Sequence, residues 1–250
     1  MAKVISVYNN KGGVGKTTTT KRLAHYLTNN DKRVLIVDMD PQGNITSQFT
    51  KEVTSPSIYN VLLEKALVED AVRTTEYKQI DILPSSLKLL NANNEIMLES
   101  MRGLNPTTRL KEKIKSTDNY DYILIDCPPT MDLLVTNALM VTDEIIIPLT
   151  VDNYSLDGIN MLLEKIFEVK ENGNDNLEIS AIFLNRFKRS NIHNEMKKVL
   201  SDSLKDYVVD NVIGDYAVVN ENTFTNDENK IEKHKVNAQF NNLFNKIGVL

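Results

Sequence analysis

Residues 3–18 read Lys3-Val4-Ile5-Ser6-Val7-Tyr8-Asn9-Asn10-Lys11-Gly12-Gly13-Val14-Gly15-Lys16-Thr17-Thr18. Lys3–Tyr8 alternates and is rich in β-branched residues, which predicts a strand. Lys16–Thr28 predicts a helix, with Leu23, Ala24 and Leu27 on one face. A glycine loop between a strand and a helix is the setting of a phosphate-binding loop. The glycines let backbone N–H groups converge on phosphate oxygens, and the helix N-terminus adds partial positive charge. Lys16 is placed to reach β- and γ-phosphates, and the Thr17 hydroxyl to ligate Mg²⁺. A glycine turn without a ligand would not account for the Gly-Lys-Thr ending. Gly12, Gly13, Val14, Gly15, Lys16, Thr17 and Thr18 are therefore the expected nucleotide contacts, with ATP and Mg²⁺ as cofactors.

Working outward, Arg33–Asp38 is an unbroken apolar run ending in a carboxylate, as in a strand covered on both faces. Ile80–Leu83, Tyr122–Asp126, Glu144–Pro148 and Ile179–Asn185 read the same way. Helical stretches separate them at Ile58–Lys65, Pro106–Lys115, Leu133–Val141, Leu156–Glu171 and Asn191–Leu204. Strands alternating with helices predict an α/β fold, a doubly wound and mostly parallel sheet with helices on both faces. No repeat, low-complexity tract or linker divides residues 1–250, so a single domain is expected. The last segment, Ile231–Ile247, spaces Val236, Phe240, Leu243, Phe244 and Ile247 as a helix. Its polar face is mostly Asn and Gln, which suits packing on the sheet better than a membrane anchor.

Two further segments supply carboxylates. Asp38-Met39-Asp40-Pro41-Gln42-Gly43-Asn44 leaves the second strand at the edge where open α/β sheets bind ligands. An aspartate there can hold a water near Mg²⁺ or orient it for attack on the γ-phosphate. Ile123–Asp126 followed by Cys127-Pro128-Pro129 places Asp126 directly after a buried strand, where it would hold Mg²⁺ through its water shell.

Bulk properties limit the alternatives. The chain has 250 residues, 41% of them hydrophobic and 25% charged, and a formal net charge of −5. Nucleic acid could then be met only through a local patch. One cysteine, Cys127, rules out a disulfide framework and fits a reducing cytoplasm. Residues 1–8 have no secretion-signal core, and no apolar run approaches the ~20 residues that span a bilayer.

The loop departs from the general phosphate-loop pattern in having Asn10 at the first glycine position and an extra lysine, Lys11. This Lys-Gly-Gly-x-Gly-Lys-Thr run resembles the deviant-Walker ATPases of the ParA/MinD family. The resemblance extends from Val4 to about Ile247. It implies that Lys11 contacts the nucleotide of a partner subunit in an ATP-dependent homodimer, and that Asp40 positions the attacking water. Lys11, Lys16 and Asp40 become the catalytic set, and Thr17, Asp38 and Asp126 the metal set. By the same resemblance Asn185 hydrogen-bonds adenine. Where the family usually has a proline framing the base, this chain has Val212-Ile213-Gly214.

The Asp-Pro-Gln-x-Asn run, Asn137–Leu139 and the closing helix look like the ParA partition branch. What this implies is a cytoplasmic, nucleoid-associated ATPase of plasmid or chromosome partition, stimulated by a ParB-like adaptor. The first strand starts so early that no N-terminal helix-turn-helix is expected. Nonspecific DNA binding is assigned to Arg186, Lys188, Arg189, Lys197 and Lys198. Residues 186–205 carry six basic side chains against Glu195 and Asp202, and the following stretch, 206–228, carries six acids and no Lys or Arg. That segregation favours a patch, with Lys230, Lys233 and Lys235 as a second choice. Rival readings are a MinD-like membrane ATPase, a relative that positions a protein cargo, and a metabolic or redox enzyme on the same scaffold. The iron–sulfur variety of the last needs more cysteine than Cys127.

Overall fold

The computed structural model describes the chain apart from residues 52–54, 115–116, 118, 152–155, 206 and 226. Among the described residues, eight strands form one sheet: β1 (Lys3–Val7), β2 (Val34–Asp38), β3 (Arg73–Thr74), β4 (Ile80–Leu83), β5 (Tyr122–Asp126), β6 (Glu144–Leu149), β7 (Glu178–Phe187) and β8 (Val208–Gly214). Their order is β3-β4-β2-β5-β1-β6-β7-β8. Each neighbouring pair is parallel except β3 with β4. This is the doubly wound sheet expected from the sequence.

β2 shows why the run Val34–Asp38 has no polar interruption. Val34 and Ile36 pack on one side with Leu23, Leu27, Phe240 and Phe244, while Leu35 and Val37 pack on the other with Leu134, Leu162 and Ile166. Both faces are covered, so alternation disappears. The closing helix lies on the first of these sides. Val236, Phe240, Leu243 and Phe244 are at most 1% exposed. Burial of each such side chain contributes roughly 1.5–3 kcal/mol, and the helix is committed to the sheet.

Several boundaries differ from the sequence reading. The closing segment is two helices, Glu228–Glu232 and Lys235–Lys246, because His234 leaves the helix and caps the second one through Nδ1, which accepts from Val236 N at 3.1 Å. The helix expected at Ile58–Lys65 stops at Leu62, and Glu64 turns left-handed at φ 55°. The one expected from Pro106 runs over Arg109–Ile114; Lys115 lies outside the described residues. β3 and β8 were not foreseen, nor were the helices Ala92–Ser100 and Ala217–Thr225. β8 carries Asp210 and Asn211 mid-strand, poor strand formers, and tolerates them because it is an edge.

That edge is covered by side chains of Lys235–Lys246. Gly214 N donates to Gln239 Oε1 at 3.1 Å, Asn211 Nδ2 donates to Gln239 O, and Lys246 Nζ donates to Asp210 O at 2.5 Å.

Candidate nucleotide site

β1 is the topological switch point, since the chain leaves β5 on one side of it and continues with β6 on the other. Ligands of open parallel sheets bind at the C-terminal ends of strands at such a point. The loop from Asn9 to Gly15 leaves β1 there. Asn9 Nδ2 donates to Pro148 O at 2.9 Å and its Oδ1 accepts from Lys11 N at 2.8 Å, fixing the loop entrance. Gly13 and Gly15 have φ of 74° and 97°, left-handed values that favour glycine. A Cβ on Gly15 would stand 2.1 Å from Asn185 Nδ2. Gly15 caps the Lys16–Thr28 helix without a side-chain bond, leaving the helix's first N–H groups for a ligand.

Lys16 is 7% exposed and donates from Nζ to Lys11 O at 2.9 Å. Burial pushes its ammonium below the ordinary value, while Asp126, Cys127 and Asp40 oppose that shift. Lys11 itself is exposed at the rim.

The two strand-end carboxylates stand side by side. β2 and β5 pair in register with Asp38 opposite Asp126, and Val7 opposite Asp126 from the other side. Thr17 Oγ1 donates to Asp126 Oδ2 at 2.7 Å, which joins the phosphate loop to β5. Asp38 is spent on the backbone that follows it. Its Oδ1 accepts from Asp40 N, and its Oδ2 accepts from Thr46 N and from Thr46 Oγ1, the last at 2.6 Å. Asp40 Oδ1 accepts from Gln42 N at 2.9 Å. Met39 N donates to Asp126 O at 3.0 Å and locks the ends of β2 and β5 together.

Burial pushes Asp126 up to about 8, with the Asp38 charge adding to the rise, and pushes Asp38 up to about 7, where Asp40 adds the repulsion and the Thr46 bonds oppose it. The donor set suits Mg²⁺. Among the described residues no three His, Cys, Asp or Glu side chains form a direct cage, but Mg²⁺ keeps several waters and takes one or two protein ligands plus phosphates. Thr17 and Asp126 supply that minimum. Cys127 is a buried thiol that burial pushes well above its usual range, so it is inert rather than nucleophilic.

Asn185 reaches this region as expected, but its amide is engaged: Nδ2 donates to Val14 O at 2.8 Å and Oδ1 accepts from Arg186 N. It lines a cavity of ≈70 Å³ with Gly13, Gly15, Thr18, Tyr216 and Val219. Sequence reading missed Tyr216 and Val219, which follow an unforeseen strand. A wider cavity of ≈670 Å³ lies at the opposite ends of the strands, by Met1, Lys111 and Asn174. No strand-end carboxylate of β2 or β5 and no loop glycine borders it.

The charge segregation expected after residue 186 is not maintained in space. β8 lies beside β7, so acids of the later stretch fold back onto the basic one. Arg186 Nε and Lys188 Nζ stand 3.3 and 3.7 Å from Asp215, and Lys197 Nζ stands 2.6 Å from Asp210. Arg189 and Lys198 are exposed. Lys230 pairs with Glu221, and Lys235 lies over the Tyr216 ring.

Comparison with known proteins agrees with this geometry. A family model described as an AAA domain matches residues 2–179. The chain is 36% identical over 217 residues to the sporulation initiation inhibitor protein Soj of Bacillus subtilis, covering 85% of this chain and 84% of that one. It is 34% identical to the chromosome partitioning protein ParA of Myxococcus xanthus, over 85% and 75% of the two chains. Among solved structures, cobyrinic acid a,c-diamide synthase of Mycobacterium smegmatis with bound ADP and magnesium superposes with a TM-score of 0.84 at 25% identity, over 97% and 92% of the chains. The phosphate loop on β1, the paired aspartates of β2 and β5 and these relatives together place the chain in the ParA/Soj family of chromosome-partitioning ATPases.

Proposed function

We propose that the chain is an ATP-driven partition switch. It binds Mg²⁺-ATP at Lys11–Thr18, closes as a homodimer, grips DNA without sequence preference and is released when a ParB-like adaptor stimulates hydrolysis. The observation that carries this reading is the Asp38–Asp126 pair at the ends of β2 and β5, in register, with Asp126 accepting from Thr17 of the glycine loop. Magnesium would supply positive charge between the phosphates and this carboxylate pair. Lys16 and the N–H groups of the helix start hold the phosphates. Thr17 and Asp126 orient the metal's shell, and Asp38 orders the backbone that presents Asp40. With Oδ1 on Gln42 N, Asp40 has Oδ2 to accept from an attacking water. Asn185 would have to leave Val14 O to meet the base.

Lys11 couples the triphosphate to the partner subunit, and its exposure at the loop rim supports that role. Arg189 and Lys198 are the stronger DNA contacts, since Arg186, Lys188 and Lys197 already face acids. Two copies of a weak patch on one dimer raise avidity without new contacts. The membrane reading is disfavoured because the apolar face of Lys235–Lys246 is buried against the sheet, and no described helix is long and apolar enough to cross a membrane.

The test is DNA retention with ATP, ADP or no nucleotide, on wild type and Lys11→Ala. Retention is expected only for wild type with ATP. Equal retention in ADP would refute the switch, and none under any condition would favour a protein cargo.

A further inference from the structure

The helix that carries the phosphate loop also buries two cations. Lys21 and Arg22 are 2% and 4% exposed, a depth at which unpaired Lys and Arg are almost never found. Both meet one carboxylate. Lys21 Nζ stands 2.6 Å from Glu228 Oε1, the Arg22 guanidinium bonds Glu228 Oε2, and His25 Nε2 lies 3.5 Å from the same oxygen. Lys21 Nζ also donates to Asn222 Oδ1 at 3.2 Å. Burial, then Arg22, depresses His25 to about 4, so it adds no third charge at neutral pH. Burial alone would raise Glu228, but the Arg22 and Lys21 cations hold its carboxyl below the usual range.

Apolar side chains would fill this volume at less desolvation cost, so the cluster's use is positional. Its two acceptors belong to the Ala217–Thr225 and Glu228–Glu232 helices. The first of these helices also presents Val219 to the cavity beside Gly13, Gly15 and Thr18, and Tyr216 just before it closes that cavity. Thr18 and Val219 border both this cavity and the narrow gap beside Lys21 and Asn222. Asn222 therefore fastens the wall helix directly to the helix under the phosphates, and Glu228 fastens to it the Glu228–Glu232 helix that packs against the wall helix.

We propose that Glu228 is a positioning residue for the nucleotide base: by clamping Lys21 and Arg22 it sets where the Tyr216–Val219 wall stands relative to the phosphate loop. This rests on the nucleotide reading above. A base-positioning clamp acts on ATP and not on a ligand without a base, whereas a general support of the loop acts on both.

Titration calorimetry with Mg²⁺-ATP and with Mg²⁺-tripolyphosphate separates the two. Glu228→Gln is expected to weaken ATP binding about tenfold, a loss of roughly 1.4 kcal/mol, and to change tripolyphosphate binding less than about twofold. Glu228→Asp should recover much of the ATP affinity. Should Glu228→Gln not fold, Lys21→Met/Asn222→Leu removes the second strap, leaves Glu228 on Arg22, and is read with the same ligands. Equal losses for both ligands, or none for either, would overturn the clamp. Wild type that bound neither ligand would instead bring down the nucleotide reading on which the clamp rests.

Discussion

Asp126→Asn in the nucleotide-free, metal-free protein tests the electrostatics of the site most directly. Asp126 is 1% exposed and stands in register with Asp38, and burial with that neighbour's charge pushes it up to about 8 from 3.8. The native state therefore keeps the Asp126 proton to about pH 8, while the unfolded chain releases it near 3.8. Between those values the unfolded state binds fewer protons, so stability falls as pH rises. At about 1.36 kcal/mol per pH unit, the roughly 2.5 units from pH ~5.5 to ~8 cost about 3 kcal/mol through this one group. Asparagine does not titrate, so the variant should lack that part of the decline. It keeps one acceptor oxygen where Asp126 offers two to Thr17 and Thr20, a loss of about 1 kcal/mol. Urea unfolding in chelator across that range measures both. The variant's profile should be flatter, and its stability relative to wild type should improve steadily with pH. Parallel profiles would show that burial and the Asp38 charge do not hold the Asp126 proton as argued. Under the proposed function the same variant would hydrolyse no ATP, so stability and activity would move in opposite directions.

Other outcomes follow from single residues. Asp40→Ala should slow hydrolysis at least about a hundredfold while ATP still binds, trapping the ATP-bound dimer; normal turnover would reassign the water-positioning group. Phe240→Ala, which empties a site 1% exposed, should cost about 3–5 kcal/mol in thermal or urea unfolding. A loss below about 1 kcal/mol would mean that the last helix is not seated on the sheet. Arg189→Glu/Lys198→Glu should abolish ATP-dependent DNA retention with ATP binding intact, and milder Ala versions should flatten the salt dependence by about one unit per residue; unchanged retention would move the interface elsewhere.

The parts of the fold written most plainly in the sequence are those whose burial is uniform. Val34–Asp38 and Tyr122–Asp126 are buried throughout, so nothing polar interrupts them and both strand and terminal carboxylate can be read. The glycine loop was legible because a phosphate site needs bare backbone at fixed positions. What escaped depends on neighbours. Val208–Gly214 has Asp210 exposed and Asn211 bonded to the closing helix, and neither position signals a strand alone. The break at His234 needed knowledge that an imidazole would turn back to cap Val236. The charge segregation along the chain is lost in space for a topological reason: chain separation of Arg186 from Asp215 says nothing once β8 returns beside β7. The Lys21–Arg22–Glu228 cluster was invisible for the same cause, spanning some two hundred residues.

The outer margins of the sheet bear on how such a chain survives crowding. One margin ends in a strand of two residues, Arg73–Thr74, too short to template anything. At the other, Gln239 and Lys246 occupy hydrogen-bonding groups that a foreign strand would seek. Open rows of amides invite irreversible stacking between copies. Many molecules could thus be concentrated on one polymer, as the proposed role demands, and still separate, because a foreign strand meets at one margin two residues and at the other groups already bonded at Asp210 and Gly214.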